Sequence, residues 1–195
     1  MKLRHLLARH FQRVLWLYLT DNFVISHCAD LNPRDVVPPY DLVPVTLDNF
    51  HRVLEFREES RVSEYREKVL RNEIGLFAEY RRAVIGSIWA TLNRSDRPVV
   101  VRRYMPLLPN EALIHDIVTG DQFRGMGVGS HMVYGMAARL LEQFAVSRIV
   151  VDVSVKNVPS LRMMAKVGAP LKERALYVST CGTLLYSKII RRYCA

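Results

Sequence analysis

The chain has 195 residues and a mass of 22.5 kDa, with 50% apolar and 24% charged residues. This length suits one domain with a short appendage, and the composition excludes disorder, collagen-like repeats and a coiled coil for most of the chain. Three scattered cysteines, without a CxxC pair or a zinc-binding spacing, indicate reduced thiols in a cytoplasmic protein, with neither a disulfide framework nor a metal site.

The charge balance predicts an anionic ligand without specifying which. The 28 Lys and Arg residues exceed the 19 Asp and Glu residues and give a net charge of +9. Such a field attracts nucleic acid, anionic lipid or a phosphorylated small molecule. The basic residues recur as separated pairs, Arg81-Arg82, Arg102-Arg103 and Arg191-Arg192, and this dispersion argues against nucleic acid.

Residues 1–20 are typical of a basic amphipathic helix. The segment has no acidic residue before Asp21, and its apolar residues recur at steps of three and four: Leu3, Leu6, Leu7, Phe11, Val14, Leu15 and Tyr18. Arginines interrupt the segment too often for a membrane span, and its apolar run is short for a signal peptide. Packing on its own domain, packing on a second subunit of a homodimer, peripheral membrane contact and targeting stay open as roles.

Residues 29–40 contain three prolines and predict a connector. We therefore divide the chain into an N-terminal helix with its connector, residues 1–40, and a main domain, residues 41–195. The elements predicted for that domain are a strand at 41–46, helices at 47–59 and 61–72, a hairpin of 73–80 and 83–92, an irregular segment at 97–110 with a short strand at VVVR, a strand at 112–119, a helix at 125–144, a strand at 147–155, a helix at 159–166 ended by Gly168, and strands at 175–180 and 183–190.

The segment IHDIVTGDQFRGMGVGSHM, residues 114–132, predicts a site for an anion. A strand ends, a loop supplies Gly125, Gly127 and Gly129, and a helix begins at once. The first amides of a helix are unsatisfied donors in an electropositive field, and glycines let a phosphate approach the backbone. Arg124 adds a positive charge. The ATP-binding P-loop lacks its Lys-Ser/Thr here, and the glycine spacing is not that of a dinucleotide fold; a glycine-rich helix start without a ligand is the alternative.

Two motifs at the appropriate separation resemble the GNAT superfamily, the acyl-CoA-dependent N-acyltransferases. The run from Gln122 to Gly127, QFRGMG, is similar to the family's Q/R-x-x-G-x-G/A motif. The segment NVPSLRMMAKVGA is similar to its N-x-x-A-x-x-L-Y-x-K-x-G-F helix through Asn157, Ser160, Lys166 and Gly168. The resemblance extends from about residue 40 to the end of the chain. It implies an α/β fold (α+β in some schemes), with a mostly antiparallel sheet of six to seven strands, splayed between the 112–119 and 147–155 strands and flanked by helices.

The resemblance also implies an activity and a donor site. The expected reaction moves an acyl group, most often acetyl, from acetyl-CoA or another acyl-CoA to an amine by direct attack in a ternary complex. The CoA pyrophosphate would bind the amides of the glycine loop, the pantetheine arm would pair with the end of the preceding strand, and a kink there would free an amide to polarise the thioester. The residues implied in donor binding are Ile117, Val118, Thr119, Gln122, Arg124, Gly125, Met126, Gly127, Val128, Gly129, Ser130, Asn157 and Ser160.

The general acid is left unassigned by the sequence. The family's tyrosine in this role corresponds to Met164, which donates no proton, and Ala169 replaces the usual aromatic residue after Gly168. Water or another hydroxyl would then protonate the thiolate; Tyr134, Tyr177 and Tyr186 are unranked candidates.

For the general base we favour His115, because histidine titrates near neutrality. Strand alternation would place it on the same side as Ile117 and Thr119. The rivals are Glu111 at the strand start, Asp116 on the opposite side and Glu79 in the hairpin, and a core histidine is the alternative interpretation.

The acceptor is unidentified, and two other functions stay open. Phe56, Tyr65, Trp89 and Tyr104, with Arg102-Arg103, belong to segments that would line an acceptor pocket or form the core. The alternatives are a non-catalytic CoA-binding or regulatory module that lacks the acid, and a basic protein that binds membrane or nucleic acid through residues 1–20.

Overall fold

The computed structural model describes residues 15–32, 40–181 and 183–193, so most of the predicted N-terminal helix and of the connector lies outside the described residues. The ten strands are β1 (Leu15–Ile25), β2 (Asp41–Pro44), β3 (Ile74–Tyr80), β4 (Ala83–Leu92), β5 (Val99–Val101), β6 (Met105–Leu107), β7 (Glu111–Thr119), β8 (Arg148–Ser154), β9 (Leu171–Thr180) and β10 (Thr183–Arg192). The α-helices are α1 (Val62–Leu70), α2 (Val128–Gln143) and α3 (Val158–Val167), and short 3-10 helices span Cys28–Asp30, Phe50–Glu55, Glu59–Arg61 and Asp121–Phe123.

Eight strands form one sheet in the order β10-β9-β1-β8-β7-β4-β3-β2, and β5 and β6 form a separate pair. Only β7 and β8 pair in parallel among these neighbours. The predicted mostly antiparallel sheet flanked by helices is confirmed. It has eight strands rather than six or seven because β1 joins it.

The helix predicted over residues 1–20 is wrong where the structure describes it. Residues 15–25 form β1, which pairs with β8 on one side and β9 on the other. The run LWLYL is continuously apolar, and such a run fits a helix or a strand equally well by periodicity. Two sheet edges that need a partner decide the outcome, since strand formation depends on tertiary context. β1 thus lies inside the sheet of the domain predicted to begin at residue 41.

The helix predicted over 47–59 is also wrong, since only 3-10 turns form there. The Asn49 side chain accepts a hydrogen bond from the Thr46 amide at 2.8 Å and donates one to the Pro44 carbonyl at 2.9 Å. These local bonds satisfy backbone groups that would otherwise enter a helix. Val53 is fully buried and fixes the segment against the sheet.

Both faces of the sheet are covered over its centre. The main core lies under α2 and α3 and contains Met132, Met136, Met164 and Val167. On the opposite face, α1 and the 3-10 turns cover a cluster around Trp89, and the β5–β6 pair covers a third cluster. Among the residues that the structure describes, no helix is long and apolar enough to cross a membrane.

The parallel pair β7–β8 opens at its carboxyl end, as the family resemblance implied. Their register runs from Glu111 opposite Arg148 only as far as Ile114 opposite Val151. β7 continues to Thr119 and β8 to Ser154 beyond this point. The predicted splay is therefore confirmed, and the glycine loop follows β7 at its open end.

Candidate active site

The glycine loop leads directly into α2. Gly125 and Gly127 have φ angles of +80° and +83°, and Gly127 caps the helix. Such angles favour glycine. A Cβ at either position would meet nothing within 4 Å, so this loop faces open space.

The loop presents a continuous set of free backbone donors. Among the described residues, no hydrogen-bond acceptor is found for the amides from Gly125 to Ser130, and the next amide, of His131, donates to the Gly127 carbonyl at 3.0 Å. Helix geometry explains the free amides at the start of α2, where no preceding turn exists, and the helix dipole makes this spot electropositive. We call residues 125–130 the amide cradle.

Side chains around the amide cradle hold it in place. The Tyr40 hydroxyl donates to the Met126 carbonyl at 3.3 Å, and His131 Nε2 donates to the Tyr40 carbonyl at 3.0 Å. Burial lowers the pKa of His131, which keeps the imidazole neutral. Arg124 pairs with Asp121 at 2.7 Å, and both side chains are largely exposed. The arginine therefore reaches the mouth of the cradle with its charge partly offset.

The Q/R-x-x-G-x-G spacing of residues 122–127 recurs two residues later, from Arg124 to Gly129. The second frame coincides with the start of α2, whereas Gln122 is exposed in the 3-10 helix before the cradle. Val128 and Ser130 are buried, so any ligand would meet the cradle at its glycine end. A Cβ at Gly129 would lie 2.7 Å from Met163 Sδ, so that glycine lets α2 approach α3.

Asn157 and Ser160 lie together at the start of α3. The Asn157 side chain accepts a hydrogen bond from the Ser160 amide at 3.3 Å and caps the helix. This cap accounts for Asn157 without a ligand. Both residues stay predictions as donor contacts.

A bulge in β7 corrects the predicted side-chain directions. Trp89 of β4 opposes His115 and Ser87 opposes Val118, so two residues, Asp116 and Ile117, face one on the neighbouring strand. Asp116 has a φ of 47°. Such a bulge breaks strand alternation. His115 and Asp116 both point toward α1, whereas Ile117 packs on the core under α2. The expectation that His115 shares a side with Ile117 and Thr119, opposite Asp116, is therefore wrong.

The bulge supports a charged cluster, which we call the His115 cluster: Lys68, Glu73, Thr91, Arg102, His115 and Asp116. His115 Nε2 lies 2.9 Å from Thr91 Oγ1 and 3.5 Å from Glu73 Oε2, and its Nδ1 lies 3.3 Å from Asp116 Oδ2. Of the seven buried side-chain polar atoms without a hydrogen-bond partner in the described parts of the chain, three lie in or beside this cluster: Glu73 Oε2, Trp89 Nε1 and His115 Nδ1.

Asp116 is the anion at the centre of this cluster. Lys68 Nζ lies 2.6 Å from Asp116 Oδ2, and Arg102 Nη2 lies 3.3 Å from Oδ1. Burial acts to raise the pKa of Asp116, but the adjacent His115 ring and the charges of Arg102 and Lys68 outweigh it and hold the pKa well below its usual range. Asp116 is therefore a permanent carboxylate near neutrality, suited to holding a cation and not to keeping a proton.

Comparison with known proteins now identifies the fold family. Residues 44–169, well over half of the chain, match the model of the "Acetyltransferase (GNAT) family". The chain belongs to the GNAT family. The matched residues contain the amide cradle, the bulge and Asn157. They contain neither β9 nor β10, and no residue before 44, so β1 lies outside the match as well. No curated protein gives a significant match.

Solved structures similar to this GNAT chain share its fold at low identity. A functionally unknown protein from Staphylococcus epidermidis is 11% identical with a TM-score of 0.56, and the match covers 89% of this chain and 65% of that one. A putative GNAT acetyltransferase from Novosphingobium aromaticivorans is 12% identical, with a TM-score of 0.56 and coverages of 86% and 65%. The present chain thus spans slightly less than two thirds of both proteins. AAC(6')-Iy, solved with a bisubstrate analogue, CoA-S-monomethyl-acetylneamine, is 13% identical with a TM-score of 0.53, and coverages are 80% and 100%.

The two remaining rivals for the base lie away from the His115 cluster of this GNAT domain. Glu111 is at the far end of β7, where it accepts hydrogen bonds from Arg148 at 2.8 Å and the Leu108 amide at 2.9 Å. It lines a cavity of about 460 Å³ at that end of the strand. Glu79 forms an ion pair with Arg52. Both carboxylates are committed to structural contacts.

Tyr104 and Tyr177 are poorly suited to the role of general acid that the resemblance implies for the position of Met164. Met164 is fully buried in the core. Tyr104 donates its hydroxyl hydrogen to Asp152, and burial followed by the Asp152 charge raises its pKa. Tyr177 accepts a hydrogen bond from Asn22 at 2.8 Å, and burial raises its pKa as well. Both phenols hold their protons tightly.

Sequence analysis missed several members of the His115 cluster in this GNAT chain. Lys68, Glu73 and Thr91 come from α1, the loop after it and β4, so no local spacing links them to His115. Lys68 carries one weak signal, a lysine on an otherwise inward stripe with Tyr65; it is only 4% exposed, with its Nζ 5.1 Å from the Trp89 ring centroid. Tyr65 and Trp89, named as acceptor candidates, are buried core residues.

Proposed function

We propose that this GNAT protein transfers an acyl group, most often acetyl, from acyl-CoA to an amine in a ternary complex. The amide cradle carries the proposal. Its six amides without an acceptor lie at a helix start, and the loop borders open space at Gly125 and Gly127, beside the splay between β7 and β8. A diphosphate is the ligand that such donors and such a dipole favour. The cradle would fill if a side chain replaced Gly125 or Gly127, so the residues present fit a nucleotide tail.

The end of β7 would hold the pantetheine arm and polarise the thioester. Residues 117–119 continue past the last β7–β8 pair, so their β8-facing edge has no strand partner there. The bulge leaves two β7 residues opposite one on β4, which takes one of them out of the sheet ladder. A backbone amide released in this way is suited to stabilise the oxyanion that forms on the thioester carbonyl.

The His115 cluster would bind the acceptor amine and remove its proton. Asp116 holds the ammonium of the arriving acceptor, and His115 behind it takes the proton that leaves this nitrogen. The freed amine attacks the thioester carbon, an N–C bond forms, and the C–S bond breaks as the nitrogen gives its second proton to solvent. The electron pair of that bond leaves with the CoA sulfur. His115 acts here as the general base. Its Nδ1 lies 3.3 Å from Asp116, so it is close to an ammonium group that Asp116 holds.

The leaving thiolate would take its proton from solvent. Tyr104 and Tyr177 have raised pKa values and committed hydroxyls, which makes both poor acids. A thiolate is a tolerable leaving group near neutrality, because thiol pKa values lie near 8.5. The loss of the family's tyrosine at Met164 therefore does not prevent turnover.

Release of CoA thiol from acetyl-CoA, measured with a thiol-reactive dye across a panel of amines, tests this proposal. We expect release that depends on the amine, together with thermal stabilisation of the protein by CoA. The buried Met164 favours one competing function, a non-catalytic CoA-binding module. Stabilisation by CoA without turnover on any amine would select that module, and the lack of both would refute the donor site.

A further inference from the structure

The described surface concentrates its exposed apolar side chains at one end of the sheet. Eight of its fifteen exposed large apolar residues lie on β1 and β10: Leu15, Trp16, Leu17, Leu19, Leu185, Tyr186, Ile189 and Ile190. Leu17 is 66% exposed and Tyr186 is 50% exposed. Contiguous apolar patches on a globular domain mark places that another body covers.

Strand register places five apolar residues on one face. β9 lies between β10 and β1; Tyr186 opposes Val178, which opposes Leu17. In the next row on the same face, Leu176 lies between Lys188 and Leu19. Directly opposed residues of antiparallel strands share a face, as do alternate residues along a strand. We call this surface the leucine face: Leu17, Leu19, Leu176, Val178 and Tyr186.

The two faces of β1, β9 and β10 differ in whether other residues pack against them. On the side opposite the leucine face, Tyr18 stacks on Tyr104 with ring centroids 4.0 Å apart, and Tyr177 packs against the same ring. On the leucine side, an ion pair of Asp21 with Arg174 at 2.7 Å separates the face from the core under α2 and α3. None of the described residues buries Leu17 or Tyr186.

The basic residues around the leucine face indicate which kind of partner covers it. Lys188 lies within the rows of the leucine face, and Arg191 opposes Arg174 further along β10. Residues 1–20 hold four Lys or Arg and residues 183–195 hold three, and neither segment contains an acidic residue. A second copy paired through β10 would bring like charges together, and a nucleic acid would leave the aliphatic side chains without an apolar contact.

We propose that the leucine face docks on an anionic lipid bilayer, with Lys188 and Arg191 at the headgroups and the apolar side chains at the acyl boundary. Amphipathic surfaces of this composition bind membranes by apolar burial combined with attraction to anionic lipid. Long basic side chains keep their charge at the headgroups while their stems cover apolar surface. This inference goes beyond the proposed acyl transfer and does not depend on it.

Sedimentation of the full chain with lipid vesicles tests this proposal. We expect binding to vesicles of phosphatidylcholine mixed with phosphatidylserine, no binding to phosphatidylcholine alone, and weaker binding as salt screens the charges. Leu17→Thr combined with Tyr186→Thr should weaken the partition about tenfold, because half-exposed apolar surface no longer enters the bilayer. Val100→Thr, which changes a 49%-exposed residue of β5, is the matched control and should bind as the wild type does.

Lys188→Gln, a single change at an exposed residue, tests the contribution of charge. It should weaken partition into anionic vesicles about fivefold. Thermal melting checks that each variant is folded. The proposal is overturned if the wild type stays in solution with anionic vesicles, or if the Leu17 and Tyr186 changes leave binding equal to that of Val100→Thr. A dimer in light scattering that those changes dissociate would assign the face to a second copy. Equal retention on DNA, unaffected by those changes, would assign the charge to nucleic acid.

Discussion

Replacing Gly127 by glutamate tests the amide cradle most directly. The position has a φ of +83°, which disfavours any residue with a Cβ by about 1–2 kcal/mol. Nothing lies within 4 Å of the added Cβ, so no clash adds to this strain in the free protein. For a domain of this size we expect Gly127→Glu to lower Tm by about 2–8 °C. The same change fills the cradle and places a carboxylate where the diphosphate would bind.

Thermal melting with and without CoA is the assay. At a hundredfold excess of CoA over its Kd, the wild type should gain about 2.7 kcal/mol, which corresponds to a Tm rise of about 5–11 °C. Gly127→Glu should lose this rise altogether.

Gly168→Ala is the matched control, since Gly168 ends α3 with a φ of +80° outside the cradle and is tightly packed against Asn32. It should lower Tm and keep the rise with CoA. A full CoA-induced rise of Tm in Gly127→Glu would show that the diphosphate does not bind this loop. The main support for acyl transfer would then be lost.

Four further predictions concern the reaction and the stability of the His115 cluster. His115→Gln should reduce kcat by about 10²–10⁴-fold while CoA still raises Tm, because it removes the proposed base; an unchanged kcat would reject the assignment. The depressed folded-state pKa of Asp116 contributes stability that is present above its unfolded pKa of about 3.9 and lost as pH falls below it. Asp116→Asn should therefore flatten the acid limb of a stability-against-pH curve, whereas Asp121→Asn, at an exposed ion pair, should leave it nearly unchanged. Tyr104→Phe should change kcat only a few-fold in steady-state assays if the thiolate takes its proton from solvent; a loss of a hundredfold or more would make Tyr104 the acid. Met164→Tyr overpacks a fully buried site and should cost about 1–3 kcal/mol of stability, yet the Tm rise with CoA should persist.

The amide cradle was predictable because every part of it is local in the chain. A strand, a glycine loop and a helix follow one another within residues 111–143, and the free amides belong to the backbone itself. The β3–β4 hairpin, β7, α2 and α3 were likewise predicted within a few residues of their ends. Those segments have a clear period or a turn residue, and the predicted splay followed from the family resemblance.

The direction of His115 was not predictable in the same way. Alternation holds only while a strand stays regular, and the extra residue at Asp116 reverses it. Bulges depend on the register against a neighbouring strand, which the β7 sequence does not contain. The partners of His115, namely Lys68, Glu73 and Thr91, likewise come from three other segments.

By itself, the amino-acid sequence determined the chemistry of the glycine loop, the family and most of the helix and strand pattern. Local spacing and backbone preference act over a few residues, and those interactions are visible in a linear chain. The tertiary structure alone decided that residues 15–25 form a strand, that His115 and Asp116 face α1 together, and that the other described residues leave an apolar face on β1, β9 and β10 uncovered. Each of these outcomes depends on which distant segments pair, since a strand acquires its hydrogen bonds, its register and its covered side only from its neighbours.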